Sequence, residues 1–127
     1  MSNLKTYRVK ADWFDDAEVT LQVDHDILTP ELATLINEFW SGEGDRLEQE
    51  GGDVVRAVIR LFGSAALAFF MADGGASIGG GGSEYWTDRV IKSQGEGWPD
   101  SGALGILICS VFVSSLGYDD VALEAVP

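Results

Sequence analysis

His25 stands between Asp24 and Asp26, the one place in the chain where an imidazole has carboxylate neighbours. A base oriented by a carboxylate is the chemistry such a trio could perform. On an extended strand, however, adjacent residues point to opposite faces, so neither aspartate can orient the ring, and a solvated histidine at a strand end is the reading that follows. Cys109 lies inside the apolar run GILICSVFVSS with no base beside it, where a thiol behaves as a small hydrophobe. One cysteine and one histidine exclude an internal disulfide and a Cys/His zinc site, and no spacing signature marks a carboxylate cation site. Ser110, Ser114 and Ser115 lack the G-x-S-x-G elbow of a hydrolase nucleophile. The pairs Asp15/Asp16 and Asp119/Asp120 read as turn residues rather than as an acid and its base. The run from Gly74 to Gly82, GGASIGGGG, follows a helix, contains no lysine and matches no phosphate-cradle motif, so it reads as a mobile linker. No catalytic set, no metal and no cofactor is expected, and the chain is not expected to be an enzyme.

What remains is charge. Between Ala11 and Asp53 the acids are Asp12, Asp15, Asp16, Glu18, Asp24, Asp26, Glu31, Glu38, Glu43, Asp45, Glu48, Glu50 and Asp53, against Arg46 alone. Thirteen acids less one base give −12 of the total formal charge of −13, while the rest of the chain is nearly balanced. Such a field repels nucleic acid and anionic membrane, and it speeds encounter with a basic partner. Three readings stand: a solvated surface, a docking face for a basic protein, or an imitation of nucleic-acid phosphates that blocks a nucleic-acid-binding protein. The candidate partner-binding residues are Asp12, Asp15, Asp16, Glu18, Asp24 and Asp26, with Glu43, Asp45, Glu48 and Glu50 as a second cluster. Phe14, Trp40 or Trp98, if exposed nearby, would supply aromatic anchors.

The elements that must position these residues are legible in outline. Asp53 to Met71, DVVRAVIRLFGSAALAFFM, reads as a central core helix, with Asp53 as N-cap, apolar residues at steps of three and four, and Gly74 and Gly75 as the stop. Arg56 and Arg60 leave it short of a membrane span. Lys5 to Asp24 alternates like a β-hairpin, and pairing Trp13 with Val19, Ala11 with Leu21 and Val9 with Val23 matches the apolar faces and sets Arg8 against Asp24. That register leaves Asp15, Asp16 and Ala17 as the turn. Thr29 and Pro30 open a helix whose Leu32, Leu35, Ile36, Phe39 and Trp40 form one buried stripe. Asp45 to Gly52 reads as a loop or irregular extension. Ser83 to Ser93 suits a short helix capped by Ser83, or a strand; Gly105 to Ser115 suits a central strand, and Val121, Leu123 and Ala125 a final one.

The order ββααββ, with a short third helix admitted, implies an α+β fold: one four-stranded antiparallel sheet with helices packed on one face. At 127 residues and 46% hydrophobic content, residues 1–127 form a single domain that buries about two-thirds of its unfolded surface. With no apolar leader at the start, a cytoplasmic location is expected.

Several stretches, LTPELATLINEFW, DVVRAVIRLFG, FFMADGG, EGWP and LGILI, together resemble a family of small acidic proteobacterial proteins of unknown function, often carried on phages and on integrative or conjugative elements. The likeness spans most of the chain but rests on packing and turn segments, so it carries over no functional residues. It implies a context in which small acidic proteins inhibit host machinery, including defence systems such as CRISPR effector complexes. The expectation is thus a non-enzymatic inhibitor of a basic, nucleic-acid-handling host protein. The alternative is a self-associating accessory protein, a homodimer burying Trp86, Trp98 or the last strand.

Overall fold

The computed structural model describes residues 3–11, 17–114 and 118–126. Strands β1 (Leu4–Lys10) and β2 (Glu18–Asp24) are followed by helices α1 (Pro30–Phe39), α2 (Glu43–Gln49) and α3 (Val54–Ala72). Then come β3 (Ala76–Ile78), α4 (Glu84–Gln94), α5 (Ser101–Leu104), β4 (Ile106–Val113) and a 3-10 turn at Tyr118–Asp120. The strands form one antiparallel sheet in the order β1-β2-β4-β3, the α+β architecture that the patterning implies.

The central helix forms as its ends dictate. The Asp53 carboxylate accepts from the Arg56 amide at 3.1 Å. At the other end Gly74 and Gly75, both at positive φ, donate to the Met71 and Phe70 carbonyls at 3.2 and 2.8 Å, the paired closure that only a left-handed residue permits cheaply. Between the caps Val58, Ile59, Phe62, Ala66 and Phe70 are buried, and a side chain of the size of Phe62 contributes about 1.5–3 kcal/mol by that burial. In length and apolarity α3 could cross a membrane, but its buried stripe packs on β2, β4 and α1. A Cβ at Gly63 would lie 2.5–2.8 Å from the Val9 side chain, so helix and strand touch at a residue that has none.

Four expectations need correction. The hairpin slides by four residues: Val9 sits opposite Val19 rather than Val23, and Arg8 opposite Thr20 rather than Asp24. Alternation fixes parity, which is kept, so Val19, Leu21 and Val23 still point inward; it does not fix register. Backbone bonds from Ala11 to the Ala17 carbonyl (3.1 Å) and from His25 to the Asn3 carbonyl (2.9 Å) bracket a ladder that pairs all of β1 with all of β2. Ala17 is buried; Trp13 and the turn residues Asp15 and Asp16 lie outside the described residues.

The fourth strand is not Val121–Ala125, which forms no strand and is exposed; it is Ala76–Ile78, inside the glycine run read as a linker. It covers the free edge of β4, pairing Ala76 with Val113 and Ile78 with Val111, and three residues suffice because glycines on both sides turn the chain sharply. Asp45 to Gly52 is largely helical, as α2. On α1, Ala33, Ile36 and Asn37 are buried, while Leu35 and Phe39 are 69% and 53% exposed. The helix is rolled away from its expected stripe because Asn37 is held inward, as described below.

Two readings are met. Ser83 caps α4 by accepting from the Trp86 amide at 3.1 Å. β4 is a central strand, and its unbroken apolarity has a specific cause: Leu21 pairs with Ile108 and Thr20 with Ser110, so Cys109 is an extra, bulged residue. The bulge shifts the phase, sending Ile106 and Ile108 inward before it and Val111 and Val113 inward after it.

Candidate functional site

Among the described residues, the predicted acidic set does not gather in one place. Asp12, Asp15 and Asp16 lie outside the described residues. Glu18 and Asp24 occupy opposite ends of the seven-residue strand β2, about 20 Å apart at 3.4 Å per step. Glu18 faces Lys10 and lies 3.9 Å from Arg8. The Asp24 carboxylate accepts from the Asp26 amide at 2.9 Å and so shapes the corner before α1, while Asp26 itself is exposed. Glu50 is largely covered and pairs with Arg56 at 3.2 Å and Arg60 at 2.9 Å.

Glu43, Asp45 and Glu48 are different: all three are exposed on α2, and Glu43 lines a shallow groove with Glu38 of α1, on which Glu31 is exposed as well. Arg46, the base among them, does not neutralise this face. Its guanidinium donates to the Asn37 side-chain oxygen (2.8 Å) and to the carbonyls of Asn37 (2.9 Å), Trp40 (2.9 Å) and Ser41 (2.6 Å). Those carbonyls lack helical partners at the C-terminal end of α1, where a cation is also favoured by the helix dipole. Asn37 in turn donates to the Glu43 carbonyl at 3.2 Å, so one buried amide and one arginine lock the angle between the helices. With Asn37 inward, Leu35 and Phe39 project from the same side of α1 as Glu31 and Glu38. The result is an exposed apolar pair with two carboxylates on the same side of the helix.

Of the anticipated aromatic anchors, Trp98 is buried edge-on against Phe62, with ring centres 5.3 Å apart, and Trp40 is half-buried beside it. Phe14 lies outside the described residues. Phe39, which sequence reasoning put in the core, takes the exposed aromatic position instead. His25 is half-buried, and its Nε2 shares a 2.8 Å hydrogen bond with the Tyr7 hydroxyl, so it is not the solvated side chain expected. Burial pushes the Cys109 thiol upward, opposed by a backbone hydrogen bond at Gln22, which disfavours the nucleophilic thiolate. Among the described residues no group of three or more His, Cys, Asp or Glu side chains could hold a metal ion.

A second feature was not foreseen. A groove of about 260 Å³ between β1 and α3 is lined by Arg8, Lys10, Arg56 and Arg60, together with Tyr7, Val9, Ile59 and Glu50. Half of the eight bases in the chain thus meet in one place, although nearly fifty residues separate the two pairs in sequence. Only the packing of α3 against β1 at Gly63 brings them together.

The family described as "Protein of unknown function (DUF2528)" matches residues 18–123. The chain belongs to this family. Two relatives show where members are found: "Protein ea10" of Escherichia phage lambda and "Lambda prophage-derived protein ea10" of Escherichia coli O6:H1. Each is 32% identical over 127 residues, covering 98% of this chain and 99% of the relative. The resemblance to a phage-carried family of unknown function is therefore correct. No solved structure matches.

Proposed function

We propose that the chain is a non-enzymatic binding protein whose α1–α2 face docks on a basic surface of a host nucleic-acid-handling protein and inhibits it. The observation that carries this reading is the exposure of Leu35 and of half of Phe39 on the same side of α1 as Glu31 and Glu38, with the guanidinium of Arg46 turned inward. Exposed apolar anchors surrounded by polar groups are how binding energy concentrates at interfaces. The carboxylates steer a basic partner and reject anionic ones. Carboxylates presented on a rigid pair of helices also imitate the charge of a phosphate backbone, so the partner's nucleic-acid site is the surface they fit. The phage-borne relatives favour a host target, and a CRISPR-type defence complex is one target of that kind.

The test is capture of proteins from an Escherichia coli lysate on immobilised chain, with bound proteins identified by mass spectrometry. A basic nucleic-acid-binding protein should be retained at low salt, displaced by duplex DNA, and released at high salt, since charge at a surface is screened within about 10 Å at 0.1 M. Glu43→Lys/Asp45→Lys/Glu48→Lys and Leu35→Ser/Phe39→Ser variants should each lose it. Retention of the same proteins by both variants would overturn the proposal.

A further inference from the structure

The sheet ends at β1, and among the described residues no strand pairs with its outer edge. Such an edge is a template for another strand, and proteins commonly guard it with charge. Here the guard has one sign: Lys5, Arg8 and Lys10 lie on β1, and Arg56 and Arg60 stand along the adjoining groove. Two copies of β1 meeting edge to edge would set like charges together, which disfavours that pairing. An acidic strand would meet the opposite situation. Glu18 and Glu50 offset part of the charge, leaving Arg8, Lys10, Arg56 and Arg60 against two carboxylates, a balance of +2 within a chain of −13.

The chain contains a segment of that kind. Tyr118 to Val126, YDDVALEAV, follows the 3-10 turn with no strand or helix, and its apolar residues face water: Leu123 is 99% exposed and Val126 90%. In an extended conformation Val121, Leu123 and Ala125 share one face, which is wholly apolar, while Glu124 puts the one charge on the other face between Ala122 and Val126. The segment is not seated on its own sheet.

We infer that the edge of β1 and its basic groove receive residues 121–126 of a second copy of this chain, added as an antiparallel fifth strand in a reciprocal two-fold exchange. Pairing Leu123 with Val9 sets Val121 opposite Ala11 and Ala125 opposite Tyr7, extending the inward apolar row. The same register places Glu124 opposite Arg8 on the outward face. Backbone hydrogen bonds supply affinity, and the alternating side chains supply the choice of partner. Reciprocity closes the assembly at two copies, since each copy gives one strand and accepts one. The interface is small and belongs to the weak, reversible class. It uses neither α1 nor α2, so its failure leaves the proposed docking face untouched.

Sedimentation equilibrium of the full chain at low salt should show a monomer–dimer equilibrium with a dissociation constant on the order of 1–100 µM. Leu123→Asp and Arg8→Glu should each weaken it at least about tenfold, and the double variant Arg8→Glu/Glu124→Arg should recover most of that loss, because the charges are exchanged rather than removed. At a concentration well below the dissociation constant, circular dichroism and thermal melting should stay unchanged in Leu123→Asp, since the side chain has no intramolecular packing to lose. A chain that remains monomeric at about 500 µM would overturn the inference. So would a dimer whose affinity is the same in all these variants.

Discussion

At Thr87 a single hydroxyl joins a helix to the sheet. Its oxygen donates to the Ser83 carbonyl at 2.6 Å and accepts from the Ile108 amide at 2.9 Å, while the Ser83 amide donates to the Ile108 carbonyl at 2.8 Å. The edge of β4 left open where β3 ends is thereby closed by the first turn of α4. Thr87→Val keeps the shape and removes the acceptor, leaving a buried amide at Ile108 unpaired. The expected loss is about 1–3 kcal/mol in a urea titration, with unchanged slope, and a loss near zero would mean that the site relaxes to satisfy the amide. Gly63→Ala tests a different contact, the approach of α3 to Val9. On helix propensity alone alanine would stabilise by about 1 kcal/mol. A methyl group 2.5 Å from the Val9 side chain must instead push strand and helix apart, so the expected result is net destabilisation of about 1–3 kcal/mol, and any gain in melting temperature would refute the close packing. Neither residue was legible in sequence as anything beyond a threonine in a short helix or strand and a glycine in a helix, because both act on partners distant in the chain.

Elements whose ends carry their own chemistry were the legible ones. Asp53 and Thr29 with Pro30 each announced a helix start, Ser83 offered one beside a strand reading, and each accepts the expected amide in the structure. The strand alternation of β2 gave the inward face correctly. What sequence could not give was how elements slide and roll against one another. Parity survives a four-residue slip, so Arg8 was assigned to Asp24 although it stands opposite Thr20. The five apolar residues of α1 made a plausible stripe, yet the Asn37–Arg46 contacts roll the helix so that Leu35 and Phe39 face out, which is why the candidate docking face was only half visible. β3 was missed because three residues among six glycines carry no periodic signal, and Val121–Ala125 was promoted to a strand on a pattern that no neighbour within the chain uses. Arg46 decides the arrangement of α1 and α2. Arg46→Met keeps the aliphatic stem but leaves the carbonyls of Asn37, Trp40 and Ser41 without their cation, so stability should fall by about 2–3 kcal/mol. Amide exchange should accelerate most in α2, whose residues are not buried, and uniform acceleration across the chain would mean that Arg46 supports the core rather than the helix pair.

Over the whole molecule the charge works against the fold. A formal −13 on 127 residues imposes self-repulsion that compaction increases, and the ion pairs among the described residues, Arg8 with Glu18 and Glu50 with Arg56 and Arg60, involve half-exposed arginines that offset little of it. Their bases are committed to the β1 side, which leaves the α1–α2 face with carboxylates and no free base among its described residues. Repulsion of this kind is screened by simple salt, whereas hydrophobic burial responds to sodium chloride only weakly at moderate concentration. The melting temperature should therefore rise by several degrees between about 0.02 M and 0.5 M sodium chloride, where the screening length shrinks from tens of ångströms to a few. Neutralising the face by Glu43→Gln/Asp45→Asn/Glu48→Gln should raise the low-salt melting temperature and reduce the salt effect together. The two changes are linked because both remove the same repulsion. A variant that is no more stable at low salt than the parent, and keeps its full salt dependence, would show that the strain lies elsewhere, and that the carboxylates of α2 can stand on the surface at no cost to the fold.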